Sequence, residues 1–221
     1  GAVYVVSDVS ERKIVERQMC ESLEEKKALL KEVHHRVKNN LQTVSALLRL
    51  QARRVTDPIA ISALDEAVRR VASIALVHET LSNQSSEYVE FDLVFEQIIK
   101  NALNLNPRII AYKKMGVFGS FDSKTATALS LVITELIHNA LKHGLNESED
   151  ELTVEINKNG NQYQVSICDN GPGLPRDFSI EKSANLGLQI ANTLTKNELN
   201  GSINLVRVGN LTRVDISFKT H

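Results

Sequence analysis

The sequence lacks most of what would make it a secreted, membrane-spanning or nucleic-acid-binding protein. It has two cysteines in 221 residues, Cys20 and Cys168. That is too few for a disulfide scaffold, and their separation is not a zinc-ligand spacing. They fit a reducing compartment, and a cytoplasmic location is expected. There is no excess of one charge: 26 basic and 27 acidic side chains leave a net charge of -1. No basic footprint for a nucleic acid results. No apolar run approaches a membrane span, so no membrane insertion is expected of this segment. The first residues, GAVYVVSDVSERK, have no basic start followed by a long apolar run, and do not read as a signal peptide. No GxxxxGK[ST] phosphate loop and no dinucleotide fingerprint occurs. What remains is 42% hydrophobic and 24% charged, an ordinary globular balance.

The apolar pattern divides the chain. Val3–Val6 is a short β-branched and aromatic run, read as a strand. From about Ser10 to Arg54 the pattern is helical, with Leu23, Leu30, Val37 and Val44 seven residues apart and Val33 and Leu47 at the second seam position. Asp57-Pro58 breaks it, with Asp57 as cap of a second helix. That helix carries Ile61, Leu64, Val68, Val71, Ile74, His78 and Leu81 on its periodic positions. Two long amphipathic helices joined by a short turn form a hairpin, and two hairpins make a four-helix bundle, so a homodimer is expected. After a polar segment near Ser82–Glu87 the pattern becomes α+β: strands at Tyr88–Phe91 and Ile109–Val117, helices at Leu93–Leu105 and Lys124–Lys142, then paired strands Leu152–Asn157 and Gln162–Cys168 about an Asn-Gly-Asn turn. A helix near Leu186–Leu199 and strands at Ser202–Val206 and Arg213–Phe218 complete a mixed sheet covered by helices. The expected domains are 1–22, a linker region; 23–84, the hairpin; and 85–221, the α+β unit.

Two histidines stand inside the first helix, in KEVHHRVKNNLQTVSALLRLQ. With Val37 and Val44 at heptad position a, His34 falls at e on the seam margin and His35 at f, facing solvent. A phosphoryl acceptor needs an exposed nitrogen, and neutral imidazole is a competent nucleophile near pH 7. Read alone, His35 is an ordinary surface histidine. The helix-weakening Asn39-Asn40 beside it points to some function without naming it.

The second unit carries three further pieces. In TELIHNALKHG, Glu135, Asn139 and Lys142/His143 share a helix face, able to hold hydrated Mg²⁺ and phosphate oxygens or simply to be solvated. In CDNGPGLP, Asp169 ends an apolar strand, and Gly171 and Gly173 permit tight turns; the plain alternative is a glycine-rich surface turn. In ANLGLQIANTL, Leu186-Gly187 meets a helix start, where free N–H groups favour phosphate. The plain alternative is a cap by Asn185.

HHRVKNNLQ-x-V-x-x-LL-x-LQA-R resembles the dimerisation and phosphotransfer region of a distinct class of bacterial sensor histidine kinases. The three later pieces resemble the nucleotide-binding domain that these kinases share with the GHKL ATPases. The resemblance implies a helical-hairpin dimerisation and phosphotransfer domain followed by an α+β sandwich ATP-binding domain. It implies ATP and Mg²⁺, autophosphorylation on His35, and transfer to an aspartate on a response regulator receiver domain. It matches Asn139 to the Mg²⁺-chelating asparagine and Glu135 to the acid linked to activating the acceptor. Lys142 and His143 match positions near the phosphates, Asp169 the adenine-recognising aspartate with Gly171 and Gly173 in its loop, and Gly187 the second glycine motif. The interval from Gly173 to Gly187 would be the ATP lid. GAVYVVSDVSERK resembles the last strand and exit helix of a PAS domain, implying an upstream sensor in the same full-length chain.

Arg36 stands where many such kinases have an acidic base. Glu32 and Glu135 are then the candidate bases, and Asn39 could position water for phosphate removal. The absence of tryptophan and Thr134 before Glu135-Leu136 set the chain apart from a sister group with a Trp-x-Glu motif. Two other readings stay open on the residues: an ATPase of the same superfamily doing mechanical work, and a dimeric scaffold with a dead nucleotide site.

Overall fold

The computed structural model describes residues 2–83, 87–106, 110–143, 150–173, 186–208 and 211–220. Two helices come first, α1 (Ala2–Ala52) and α2 (Pro58–Asn83). Asp57 caps α2 as expected, its Oδ1 accepting from the Ile59 amide at 3.1 Å. The strand expected at Val3–Val6 is not formed, because α1 already runs through it. A short β-branched and aromatic run with no neighbouring strand among the described residues has no ladder to join, and the chain continues the helix instead.

The helices pack as an antiparallel hairpin, but on only part of the seam expected from the heptads. The partly covered residues of α1 are His34, Val37, Lys38, Leu41, Ser45, Leu48 and Ala52. Leu23, Leu30, Val33, Val44 and Leu47 instead stand 43–56% exposed. A heptad stripe wider than one neighbour can cover has been split, and α2 takes only one edge of it.

Next come β1 (Tyr88–Glu90), α3 (Phe91–Asn104), β2 (Ala111–Met115), β3 (Ser120–Asp122), α4 (Ser123–His143), β4 (Glu151–Asn159), β5 (Gln162–Asp169), α5 (Leu186–Asn197), β6 (Ser202–Val208) and β7 (Leu211–Lys219). The main sheet has the order β2-β4-β5-β7-β6; β2 and β4 are parallel and the other pairs antiparallel. β1 and β3 form a separate two-stranded ribbon. The sequence reading missed β3, three residues long and lacking any period to detect. The Asn159 turn is a two-residue hairpin loop with Asn159 paired to Gln162 and Gly160 at φ +59°.

Alternation along the strands sends Leu152, Val154, Tyr163, Val165, Ile167, Ile216 and Phe218 inward, all at most 2% exposed. They meet α3 and α4 in one core. That core also takes in Val77 and Leu81, so the last turns of α2 are packed into it. Asp92 at the start of α3 accepts from the Phe118 and Gly119 amides and from Lys114 at 2.8–3.2 Å, which pins the β2–β3 connection to the helix.

Candidate active site

Helix α1 separates its two histidines cleanly. His34 turns toward α2, where its Nδ1 lies 3.0 Å from Nδ1 of His78. The ring centroids are 5.2 Å apart and tilted by 39°. Partial burial pushes both imidazoles below their ordinary pKa, and for His78 the neighbouring His34 adds to the effect. Both are therefore neutral near pH 7, one donating and the other accepting. One residue further round the helix, His35 is exposed. His34 does not merely edge a seam; it is spent on the hairpin's own packing. Lys38 and Glu79 bridge the same two helices at 2.5 Å. Asn39, one turn beyond His35, is exposed, with its carbonyl accepting from Thr43.

Both candidate bases are bonded to arginines. Glu32 is held by Arg36, its neighbour one turn on, through Nε at 3.0 Å and Nη2 at 2.5 Å. Glu135, with a side chain 7% exposed, is gripped by Arg70 of α2 through both carboxylate oxygens, at 2.7 and 3.2 Å. Arg70 also reaches Glu66 at 3.5 Å, and Glu66 lies 3.8 Å from the Lys142 ammonium. Arg69 bonds to the His138 ring at 2.9 Å. Burial, reinforced by Arg69 and Lys142, pushes His138 down to about 4. The sequence reading named Glu135 and Lys142, placed His78 only among the periodic positions of the second helix, and missed Glu66, Arg69, Arg70 and His138. For the α2 residues the signal lay in the helix face, where Glu66, Arg70, Ser73 and Val77 follow one another at three- and four-residue steps with Arg69 beside Arg70.

The remaining site residues sit on elements that pack around α4, which contacts both β5 and α5. Asp169 ends β5 at 4% exposure. Burial pushes its carboxyl up to about 6, against the pull of the Gly171 amide at 3.2 Å and the Thr212 hydroxyl. Gly171 has an ordinary backbone and serves through its amide. The turn that needs glycine is at Gly173, where φ is +77° and an added Cβ would meet Arg207 Nε at 3.1 Å. Asn139 is half-buried on α4, one turn from Glu135; His143 is exposed at the surface, yet partial desolvation of its ring and then the Lys142 charge lower its pKa. Leu186 opens α5 at 55% exposure and Gly187 is buried beside it. Residues 174–185, the bulk of the expected lid, lie outside the described residues.

Among the described residues no group of three His, Cys, Asp or Glu side chains could hold a metal ion. A Mg²⁺ ion at Asn139 would thus depend on nucleotide phosphates for its other ligands, which is how that small, strongly hydrated ion is usually held. A separate cleft of about 860 Å³ opens between α2, α3 and α4, lined by Arg69, Ser73, Ile98, Leu105, His138 and Lys142 among others. Of the residues expected at the nucleotide, Lys142 borders it and Asp169 and Gly187 do not. Among the described residues no helix is long and apolar enough to cross a membrane.

Comparison with known proteins follows the same division. A family model described as "Histidine kinase" matches residues 32–106. One described as "Histidine kinase-, DNA gyrase B-, and HSP90-like ATPase" matches residues 124–221. The chain is 46% identical over 209 residues to the sensor histidine kinase PdtaS of Mycobacterium tuberculosis, covering 93% of this chain and 41% of that protein. The PdtaS of Mycolicibacterium smegmatis is 44% identical over the same length. The chain thus spans about 41% of the length of these curated relatives. In fold it is similar to the histidine kinase domain of the Erythrobacter litoralis EL346 blue-light activated histidine kinase. That match has a TM-score of 0.65 at 23% identity and covers 86% of this chain and 92% of that one. With His35 and α2 in one matched segment and Asn139, Asp169 and Gly187 in the other, the chain carries a sensor histidine kinase core.

Proposed function

We propose that this core phosphorylates itself on His35 with ATP and passes the phosphoryl group to an aspartate of a response regulator receiver domain. The observation that carries the proposal is the division of labour on α1: His34 is bonded into the hairpin, while the adjacent His35 is exposed. An imidazole nitrogen of His35 attacks the γ-phosphorus in line, the bond to the ADP oxygen breaks, and the ring proton leaves. Positioning and neutralisation of phosphate charge supply most of the catalysis. Asp169 would accept from the adenine amino group. The backbone around Gly171, Gly173 and Gly187, with Lys142 and His143, would meet the phosphates. Asn139 would hold Mg²⁺, whose part is to neutralise charge on the phosphate oxygens. Glu32 or Glu135 takes the ring proton once released from its arginine. Asn39 is placed to orient water for removing phosphate from the regulator.

The exposed stripe Leu23, Leu30, Val33, Val44 and Leu47 supports a homodimer through the hairpin, each chain covering the other's unused edge. We place the phosphotransfer domain at residues 23–84 and the ATP-binding domain at 85–221, in the cytoplasm where ATP is supplied. An upstream sensor would act through α1. The PAS resemblance at residues 1–13 supports that sensor, although its strand is helical here.

The test is incubation of the purified chain with γ-labelled ATP and Mg²⁺, followed by assay for acid-labile, base-stable label. Label is expected in wild type and in His34→Gln, and none in His35→Gln. Label that survives in His35→Gln and disappears in His34→Gln would reverse the assignment. ATP turnover with no bound label would favour a mechanical ATPase.

A further inference from the structure

The helix-covered face of the sheet changes character along β5, β7 and β6. Ile167, Val214 and Leu205 stand side by side across these strands and pack in or against the core. The next rung on that face, two residues away along each strand, is Asp169, Thr212 and Arg207. An apolar rung gives way to a polar one. The Thr212 hydroxyl donates to Asp169. Cross-strand partners share a face, so Arg207 stands on the face of Asp169, two strands or about 10 Å away.

The Arg207 side chain reaches the loop that follows Asp169. A Cβ on Gly173 would lie 3.1, 3.4 and 3.6 Å from its Nε, Cζ and Cδ. The guanidinium therefore lies against the bare Cα of Gly173. Glycine serves there twice: it takes φ +77°, and it leaves room for the arginine. Arg207 as a whole is exposed, so its charge is open to a ligand. The neighbouring arginine of the same hairpin behaves differently. Arg213 is paired with Cys168 on the other face of the sheet, where it donates to Asp215 at 2.8 Å and to Ser166 at 3.0 Å.

The groups so far expected at the phosphates are short of positive charge. Lys142 lies 3.8 Å from Glu66 of α2. His143, with its pKa lowered, is neutral near pH 7. A triphosphate carries more charge than one Mg²⁺ ion offsets, and phosphoryl transfer depends on neutralising it.

We infer that Arg207 is a phosphate-binding residue of the nucleotide site, its guanidinium meeting the ATP phosphates at the Gly173 turn. The assignment rests on placing the adenine at Asp169 and the phosphates at Gly173, as proposed above. A guanidinium suits the role, because its planar fork donates two parallel bonds to phosphate oxygens. It also brings the charge from β6, an element other than the α4 helix that carries Asn139, Lys142 and His143.

The experiment uses the whole chain as wild type, Arg207→Met, Arg207→Lys, Asp169→Asn and, as a control on the opposite face, Arg213→Met. Kd values for ATP with Mg²⁺ and for adenosine are read by isothermal titration at low and high salt. Arg207→Met should weaken ATP by about tenfold at low salt, the scale of a lost charge-assisted contact. Adenosine, which has no phosphate, should bind as it does to wild type. The ATP loss should shrink in high salt, since the group is exposed. Arg207→Lys keeps the charge without the fork and should fall between the two. It carries the test should Arg207→Met fail to fold. Arg213→Met should bind ATP as wild type does, and a loss equal to that of Arg207→Met overturns the assignment. Equal losses of ATP and adenosine in Arg207→Met would make the residue a brace for the turn and overturn the phosphate contact, as would unchanged ATP affinity. Undiminished adenosine affinity in Asp169→Asn overturns the placement of the adenine instead, while the contrast between ATP and adenosine still reports on Arg207.

Discussion

Nδ1 of His34 and Nδ1 of His78 face each other at 3.0 Å across the hairpin. Such a contact needs one ring to donate and the other to accept. It survives one protonation, because a charged ring can still donate to a neutral one, but not two. His78→Phe removes the hydrogen-bonding partner of His34 and leaves the shape. The rotation of α1 is then less tightly held, and His35 is no longer fixed outward. The rate of label incorporation should fall a few-fold while nucleotide affinity stays as it was, measured by labelled ATP and by fluorescent-nucleotide titration respectively.

Acidification should weaken the hairpin and its junction with the ATP-binding domain. His34, His78 and His138 all have folded pKa values below the ordinary value, His138 at about 4. The folded state prefers them neutral, so the unfolded chain binds more protons below pH 6.5. Their contribution to stability is present above pH 6.5 and is lost as the pH falls toward 4. Melting temperatures across that window should drop less steeply for His138→Gln than for wild type. A steeper drop in the variant would show that the ring, with Arg69, Lys142, Glu66 and His143 around it, is not the neutral partner described.

Asp169 behaves in the opposite sense. Burial raises its folded pKa to about 6, so ionisation at neutral pH works against the fold. Asp169→Asn should lower nucleotide affinity at least about tenfold, the scale of losing a charge-assisted hydrogen bond. At pH 8 its melting temperature should equal or exceed that of wild type. Nucleotide titration paired with thermal melts separates the two effects.

Gly116 tests the sheet. Its φ is +87°, and a Cβ there would stand 2.0 Å from the Ile156 carbonyl oxygen on β4. Backbone cannot retreat as a side-chain tip can. Gly116→Ala should cost about 2–4 kcal/mol, from left-handed strain plus overpacking. Chemical denaturation gives the value directly.

The exposed edge of α1 tests the dimer. Leu30→Glu and Leu47→Glu place charge on residues 43% and 56% exposed in the single chain. Neither should lower the stability of the hairpin by much. Both should shift the sedimenting species from dimer to monomer, and an unchanged dimer would place the interface elsewhere.

Periodicity sufficed for the long elements. The hairpin, α4 and the β4–β5 pair were legible because each repeats its pattern over several turns or alternations. It also gave the exposed His35. It misled on Val3–Val6, where a strand's composition had no partner strand. It could not say which edge of a broad heptad stripe α2 would cover. The nucleotide motifs carried their own local chemistry and were visible. Arg70 was not, because an arginine on a helix face looks the same whether it meets water or a buried glutamate 65 residues later. Only the packing of α2 on α4 distinguishes the two.

That packing makes α4 a shared element. Glu135 and His138 meet α2, and Asn139 lies one turn on from Glu135 along the same helix. With nucleotide held at Asn139 as proposed, nucleotide binding and the α2–α4 contact would be linked free energies, and linkage is reciprocal. Whatever factor that contact imposes on nucleotide affinity, nucleotide would impose on the contact. ATP would then act on the junction of hairpin and ATP-binding unit as an effector as well as a phosphate source.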